Sequence, residues 1–324
     1  MLHRRSFLNL TAATAVAASL PKVALGATQA PFKMYDTHTH FYTPDQKHFP
    51  FRPDLNTISK LWVKKYPTTP EVIFKAWDAA GVEMGCGVQY NTTYYTDNRY
   101  LLDVAAHFPK RVVPIVILDP LKADTPATLA RMASENHIAG VRFSGVPNAS
   151  GKFAFLEDGA NDAWAAANDL GLVVVLMPQK SDQPDALPNA MTKIAQHADK
   201  YPRVNIVIDH IGFPEAVVAP NFGFSPQHLA LAAHKNVYYK FTTFLIEGLQ
   251  EGNVPTRPFL DYAVSVFKTD HMVWGSDVGN SDGTYPEFVK YALDAAAGLT
   301  LAQKHALFHD TAKGLFIPGG RGRA

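Results

Sequence analysis

Cysteine is all but missing from this chain. Cys86 is the only one in 324 residues, so no intrachain disulfide can form even in an oxidising compartment. A lone thiol inside the apolar run around Gly85 and Val88 reads as core filler. An excess of charge of either sign is missing too: 30 Lys and Arg stand against 29 Asp and Glu. No Lys/Arg cluster stands out beyond the first few residues, which argues against nucleic acid and anionic membrane surfaces as partners. There is no later apolar run able to cross the ~30 Å of a bilayer core, so stable membrane association is not expected. Low-complexity tracts and short-period repeats are absent as well. A small-molecule substrate is the expected partner, and composition leaves a homo-oligomer open.

The first 30 residues read differently from the rest. Arg4 and Arg5 precede Ser6-Phe7-Leu8-Asn9 and an apolar run from Leu10 to Leu20, rich in Ala and Thr. This resembles a twin-arginine export signal, with cleavage expected near Gly26, Ala27 or Ala30 and the periplasm as destination. Residues 31–318 then form a single α/β domain of about 300 residues, enough to bury a sizeable core.

Short apolar, β-branched runs recur eight times, at 32–38, 83–90, 112–118, 140–143, 172–177, 204–209, 237–241 and 272–275. Helical patterns separate them, at 71–80, 99–107, 125–135, 161–170, 188–200, 226–234, 258–267 and 286–296, with a closing helix at 301–308. Near-continuous hydrophobic strands alternating with amphipathic helices predict a parallel sheet covered on both faces. Eight such units predict a (β/α)8 TIM barrel. In that fold the reacting groups sit at the carboxyl ends of the strands. Those ends carry His38 and His40 on the first strand, Arg142 on the fourth, Asp209-His210 on the sixth and Asp277 on the eighth.

Positions two apart on a strand face the same way, roughly 6.6 Å apart. The imidazoles of His38 and His40 therefore converge on one point, either a zinc-type ion or a substrate oxygen polarised by N–H donors. Closure of a barrel brings the eighth strand beside the first and lets Asp277 meet them.

With these residues in register the sequence resembles the amidohydrolase superfamily, in its amidohydrolase-related (family 2) branch, over nearly the whole chain after the signal. The resemblance rests on Asp36-Thr37-His38-Thr39-His40, Asn98-Arg99-Tyr100-Leu101-Leu102 leading to Asp119-Pro120, Gly140-Val141-Arg142-Phe143, Asp209-His210-Ile211-Gly212-Phe213-Pro214 and Gly275-Ser276-Asp277. A lactonase-like subset is most similar, which implies hydrolysis of a sugar- or aromatic-catabolism-derived lactone. Superfamily members with two metals carry a carboxylated lysine on strand four; Arg142 stands there and cannot form that bridge. Many relatives with one metal place a histidine at the end of strand five, where this chain has Met177-Pro178-Gln179. The resemblance thus implies at most one divalent ion, zinc or manganese, on His38, His40 and Asp277 with His210 in reach, and it also allows metal-independent action.

Asp277 is expected as general base for the attacking water, its alternative being a turn or N-cap aspartate. His38, His40 and His210 are expected to polarise the scissile carbonyl, the alternative for any one of them being a buried histidine satisfied by the backbone. Asp36, taken to share the strand face of the pair, reads as orienting an imidazole. Arg142 offers a planar fork to a substrate carboxylate or, equally, an ion pair to Asp36 or Asp209. Tyr90, with Asn91, Tyr94 and Tyr95, is placed to line the pocket or simply to pack. The remaining histidines fall in helices and their flanks. Pro50, Phe51, Trp62 and Tyr66 give the first loop the composition of a lid or subunit contact. A lactone hydrolase is the leading expectation. A metal-dependent decarboxylase of the same superfamily and a non-catalytic periplasmic binding protein are the alternatives.

Overall fold

The run Val112–Ile117 has no polar side chain at all, and the computed structural model shows why: both of its faces are covered. The structure describes residues 30–53, 68–215 and 220–317. The export-type segment and the aromatic residues Trp62 and Tyr66 lie outside the described residues.

Eight strands form one sheet in sequence order: β1 (Met34–Thr39), β2 (Val82–Val88), β3 (Val112–Ile117), β4 (Gly140–Gly145), β5 (Val173–Pro178), β6 (Asn205–Ile208), β7 (Val237–Thr242) and β8 (Met272–Gly275). Every neighbouring pair is parallel. Just past β8, Asp277 N donates to His38 O at 2.8 Å and His40 N donates to Val278 O at 3.0 Å, bringing the last strand against the first. The result is the (β/α)8 barrel the alternation predicts.

Period two sorts the side chains into two cores. Tyr35, Val88, Val113, Ile115, Val175, Val207, Tyr238 and Val273 pack inside the barrel. Their outward neighbours, among them Met34, Val116, Val141, Phe143, Val174 and Tyr239, pack against the helices. Cys86 belongs to the inner cluster, its thiol 3.7 Å from the Tyr35 hydroxyl and pushed up to about 12 by burial, so it is inert filler.

The described helices are α1 (Pro70–Ala80), α2 (Arg99–His107), α3 (Thr125–Glu135), α4 (Asn161–Leu170), α5 (Ala186–Lys200), α6 (Pro226–Ala230), α7 (Thr243–Glu251), α8 (Thr256–Phe267), α9 (Tyr285–Ala295), α10 (Leu301–His305) and α11 (Thr311–Phe316). Three differ from the sequence expectation. Helix α7 has no counterpart in it, because the strand runs straight into the helix with no turn residue between; the Thr242 hydroxyl caps it by accepting from Leu245 N at 3.3 Å. The segment expected as one helix over 226–234 turns to 3-10 geometry at Leu231–Ala233. The closing helix passes through a π turn at Ala306–Asp310 and continues as α11, whose Ala312 and Phe316 join the inner cluster. Among the described residues no helix is long and apolar enough to cross a membrane.

One motif residue proves architectural. Asn98 accepts from Ile117 N at 2.9 Å and donates to Ile117 O at 2.8 Å, pairing the end of β3 as a neighbouring strand would.

Candidate active site

The carboxyl ends of β1, β6 and β8 bring His38, His40, His210 and Asp277 together, all buried. Asp277 Oδ1 lies 3.3 Å from His38 Nε2 and 3.3 Å from His40 Nε2. The His38 ring stands edge-on to His40 at 4.8 Å and stacks on His210 at 5.3 Å. Backbone strain accompanies this arrangement: His210, Ile211, Phe213 and Asp277 all take left-handed φ between 51° and 56°.

Hydrogen bonds fix what each imidazole can offer. His40 Nδ1 is 2.9 Å from Val88 O, and a carbonyl only accepts, so Nδ1 carries the proton. In a neutral ring this leaves the Nε2 lone pair facing a carboxylate oxygen, two acceptors 3.3 Å apart. Direct donation from Nε2 to a substrate oxygen is thus closed to the neutral ring. His210 Nδ1 is 2.7 Å from Thr242 Oγ1, a hydroxyl that accepts from Leu245 N and can give its own proton to Nδ1. That arrangement leaves Nε2 of His210 as the N–H. Burial pulls His210 down to about 4 against the opposing pull of Asp277 and Asp209, so the ring is neutral at pH 7. Burial, assisted by the Lys240 charge, also lowers His38 well below the usual histidine range. Asp277 lies below the usual carboxylate range: burial alone would raise it, but the charge His38, and with it His40 and His210, takes on when protonated outweighs that.

These atoms fit a cation. Both nitrogens of His38 and Oδ1 of Asp277 are buried without a hydrogen-bond partner. The 3.3 Å spacing of the donors matches the tetrahedral edge of about 3.4 Å expected for ligands near 2.1 Å from a zinc-type ion. His40 has the Nδ1–H···O=C support typical of a ligand histidine. Two donor clusters occur among the described residues, His38–His40–Asp277 and His38–Asp209–His210. The second already holds cations, since Asp209 lies 2.9 Å from Lys240 Nζ and 2.8 Å from Arg142 Nε. The first cluster, free of such cations, is the one that fits an ion.

Asp209 and Lys240 were not foreseen as a pair. Burial alone would raise Asp209, yet Lys240, Arg142 and His38 hold it well below the usual range, and its Oδ1 lies 3.5 Å from His38 Nδ1. Lys240 follows Tyr238 on the inward register of β7, and a lysine at that period-two position was the readable signal. Arg142 makes the Asp209 ion pair and also reaches the Met177 sulfur at 2.8 Å, while its Nη1 is buried and unpartnered.

Asp36 corrects an expectation. A register irregularity between Asp36 and Thr39 breaks the alternation, so Asp36 does not orient an imidazole. Its carboxylate accepts from His38 N, Thr39 Oγ1, Ser276 N, Ser276 Oγ and the Tyr285 hydroxyl, tying β1 to the end of β8 and to α9. Met177 is buried, and its sulfur takes the Arg142 contact. Tyr90 is at the site, its ring stacked on His40 at 4.4 Å and its hydroxyl donating to Asn280 Oδ1 at 2.9 Å. Tyr94 packs against Phe51 and Tyr100 instead, and the exposed Tyr95 lies under Arg52.

Sequence reasoning also missed Asn280 and Ser281, which hold Asp277 Oδ2 at 2.8 and 3.3 Å, and the rings of Phe213 and Phe244 flanking His210 at 5.0 and 5.1 Å. Glu247 of α7 accepts from Asp282 N at 3.1 Å; burial and then the Asp277 charge push its carboxyl up to about 7.

The sequence model of the family described as amidohydrolase matches residues 35–316, taking in every one of these positions. The chain belongs to the amidohydrolase family. It is 26% identical over 245 residues to the L-fucono-1,5-lactonase of Burkholderia ambifaria, covering 75% of this chain and 79% of that one. Among solved structures it is similar to a candidate 2-pyrone-4,6-dicarboxylic acid hydrolase from Pseudomonas putida, with TM-score 0.69, 22% identity and coverage of 88% of this chain and 97% of the other. It is also similar to a dihydroxybenzoic acid decarboxylase from Polaromonas sp. with bound manganese, with TM-score 0.60, 16% identity and coverage of 88% and 96%. At these identities the two structural likenesses speak for the amidohydrolase barrel alone.

Proposed function

We propose that this amidohydrolase opens a lactone, a cyclic carboxylic ester of a small sugar- or aromatic-derived acid, by attack of water. The observation that carries the reading is Asp277 Oδ1: ionised, buried, unpartnered and 3.3 Å from two imidazoles. A water held there gives its proton to Oδ1 as its oxygen bonds to the lactone carbonyl carbon. His38 and His210 face the same centre, and the Nε2–H of His210 donates to the carbonyl oxygen as it gains charge. When the tetrahedral adduct collapses, the ring C–O bond breaks and Asp277 returns the proton to the departing oxygen, giving a hydroxy acid. Arg142, with one N–H group free of partners, orients the acidic group of the substrate.

His38, His40 and Asp277, with His210 beside them, would hold one zinc or manganese ion. Bound there, such an ion supplies Lewis-acid polarisation and lowers the pKa of water. The lactonase relative supports ring opening over loss of CO2, and imidazole lone pairs beside the ionised Asp277 carboxylate are the chemistry a divalent ion needs. The same proposal sends the enzyme to the periplasm, supported by Arg4-Arg5 and the apolar run that follows.

The test is a panel containing L-fucono-1,5-lactone, other sugar 1,5-lactones, 2-pyrone-4,6-dicarboxylate and dihydroxybenzoates. Acid release and CO2 are followed with the protein as purified, after chelation, and after readdition of zinc or manganese. Acid release from a lactone without CO2 is expected, with turnover lost on chelation and restored by the ion. CO2 release from a benzoate with every lactone untouched would replace hydrolysis by decarboxylation.

A further inference from the structure

Asp277 has two carboxylate oxygens in unlike surroundings. Oδ1 is bare and faces His38 and His40, whereas Oδ2 is held by Asn280 Nδ2 at 2.8 Å and by Ser281 Oγ at 3.3 Å. The direction of each bond follows from what the atoms can do. A carboxylate only accepts, so the Asn280 amide must present its NH2 to Oδ2 and its carbonyl oxygen to Tyr90. The Tyr90 hydroxyl, 2.9 Å from that oxygen, is then the donor and its proton is committed. The Tyr90 ring stacks on His40 at 4.4 Å and 25°, and His40 Nε2 returns to Asp277 Oδ1. Asp277, Asn280, Tyr90 and His40 thus close a ring of contacts across the ends of β1, β2 and β8.

Such a ring answers a need. Asp277 sits at φ 56°, and a non-glycine residue in that conformation keeps its geometry only where its surroundings over-determine it. The clamp on Oδ2 fixes the carboxylate plane and leaves Oδ1 as the one oxygen turned to the reaction.

We propose that Asn280, itself locked by the Tyr90 hydroxyl, is a positioning residue that clamps Oδ2 of Asp277 and so commits Oδ1 to the attacking water. Tyr90 then serves the base and not the substrate. This rests on the reading of Asp277 as the base.

The experiment is a double-mutant cycle of Asn280→Ala and Tyr90→Phe, with kcat and KM measured on the sugar lactone turned over fastest and thermal midpoints recorded alongside. Asn280→Ala is expected to lower kcat by about a hundredfold, the scale of a small misplacement of a reacting group, with KM within about twofold. Tyr90→Phe, which keeps the stacked ring, is expected to lower kcat about tenfold alone and not at all in the Asn280→Ala background. Losses that multiply, or a rise in KM with kcat unchanged, would overturn the proposal and place these side chains on the substrate. So would wild-type kcat in Asn280→Ala. Asp277→Asn separates the two levels: full activity there removes the base itself, whereas a dead Asp277→Asn beside a fully active Asn280→Ala removes only the clamp.

Discussion

Two buried residues show how chemistry and stability divide in this molecule. Arg142 holds Asp209 with Nε and leaves Nη1 unpartnered. Arg142→Met should therefore have two effects: a KM increase larger for acidic than for neutral lactones, and a loss of about 1.5–3 kcal/mol in stability from the lost charge-assisted bond to Asp209, which Lys240 still faces at 2.9 Å. Equal KM changes for both substrate types, measured beside a denaturation curve, would leave only the ion pair. His228 is purely structural. Its Nε2 donates to Gly212 O at 3.1 Å and its Nδ1 meets Ser225 Oγ at 3.0 Å, while burial pulls it down to about 4. The unfolded chain, near the ordinary value of about 6.5, binds a proton that the fold refuses between those limits, so stability falls as pH drops through that window. His228→Gln keeps a donor and cannot titrate. Its stability loss between pH 7 and 4.5, read from urea midpoints, should be smaller than that of the wild type by about 2–3 kcal/mol; an unchanged pH dependence would contradict this. Of the site, His38, His40, His210 and Asp277 were legible because strand ends and period-two spacing are written in sequence. Lys240 was passed over because one lysine in an apolar strand reads as an interruption, although its period-two position after Tyr238 puts it on the inward face. Asn280 was hidden because it reaches Asp277 within a tight loop in which Asp277, Gly279 and Gly283 take positive φ, and Glu247 because it lies on α7, the helix no turn residue announces.

At the scale of elements, the site depends on how closely β8 approaches β1. A Cβ on Gly275 would lie 2.5 Å from His38 Cβ and 2.9 Å from His38 N, which only glycine avoids. Gly275→Ala should push the strand ends apart, costing about 1–3 kcal/mol and most of the activity together. A variant with wild-type stability and turnover would show that the approach is looser than described. The same junction explains where reading by period failed. Alternation places Asp36 on the face of His38 and His40, yet the register irregularity at Asp36–Thr39 turns its carboxylate to Ser276 and Tyr285. The strands were legible because most are short apolar, β-branched runs buried on both sides, as in β3 and β5, and the polar residues of β1 and β4 fall towards their carboxyl ends. Helix α7 was not, since it begins where β7 ends and its first turn belongs to the mouth of the site.

Across the whole molecule, the barrel separates its two ends. Ala312 and Phe316 of α11 pack inside the barrel with the apolar interior, whereas the imidazoles, Asp277 and the loop from Val278 to Asp282 gather at the carboxyl ends of the strands. That division is what a barrel enzyme shows: packing residues at one end, reacting groups at the other. Asp277 is where sequence, strain, hydrogen bonding and the family pattern meet. The decisive measurement is kcat/KM of Asp277→Asn against wild type on the best lactone, with zinc or manganese in excess and the thermal midpoint checked. The expected result is a loss of about a thousandfold or more with the fold intact. Turnover within about tenfold of wild type would mean that Asp277 is not the base.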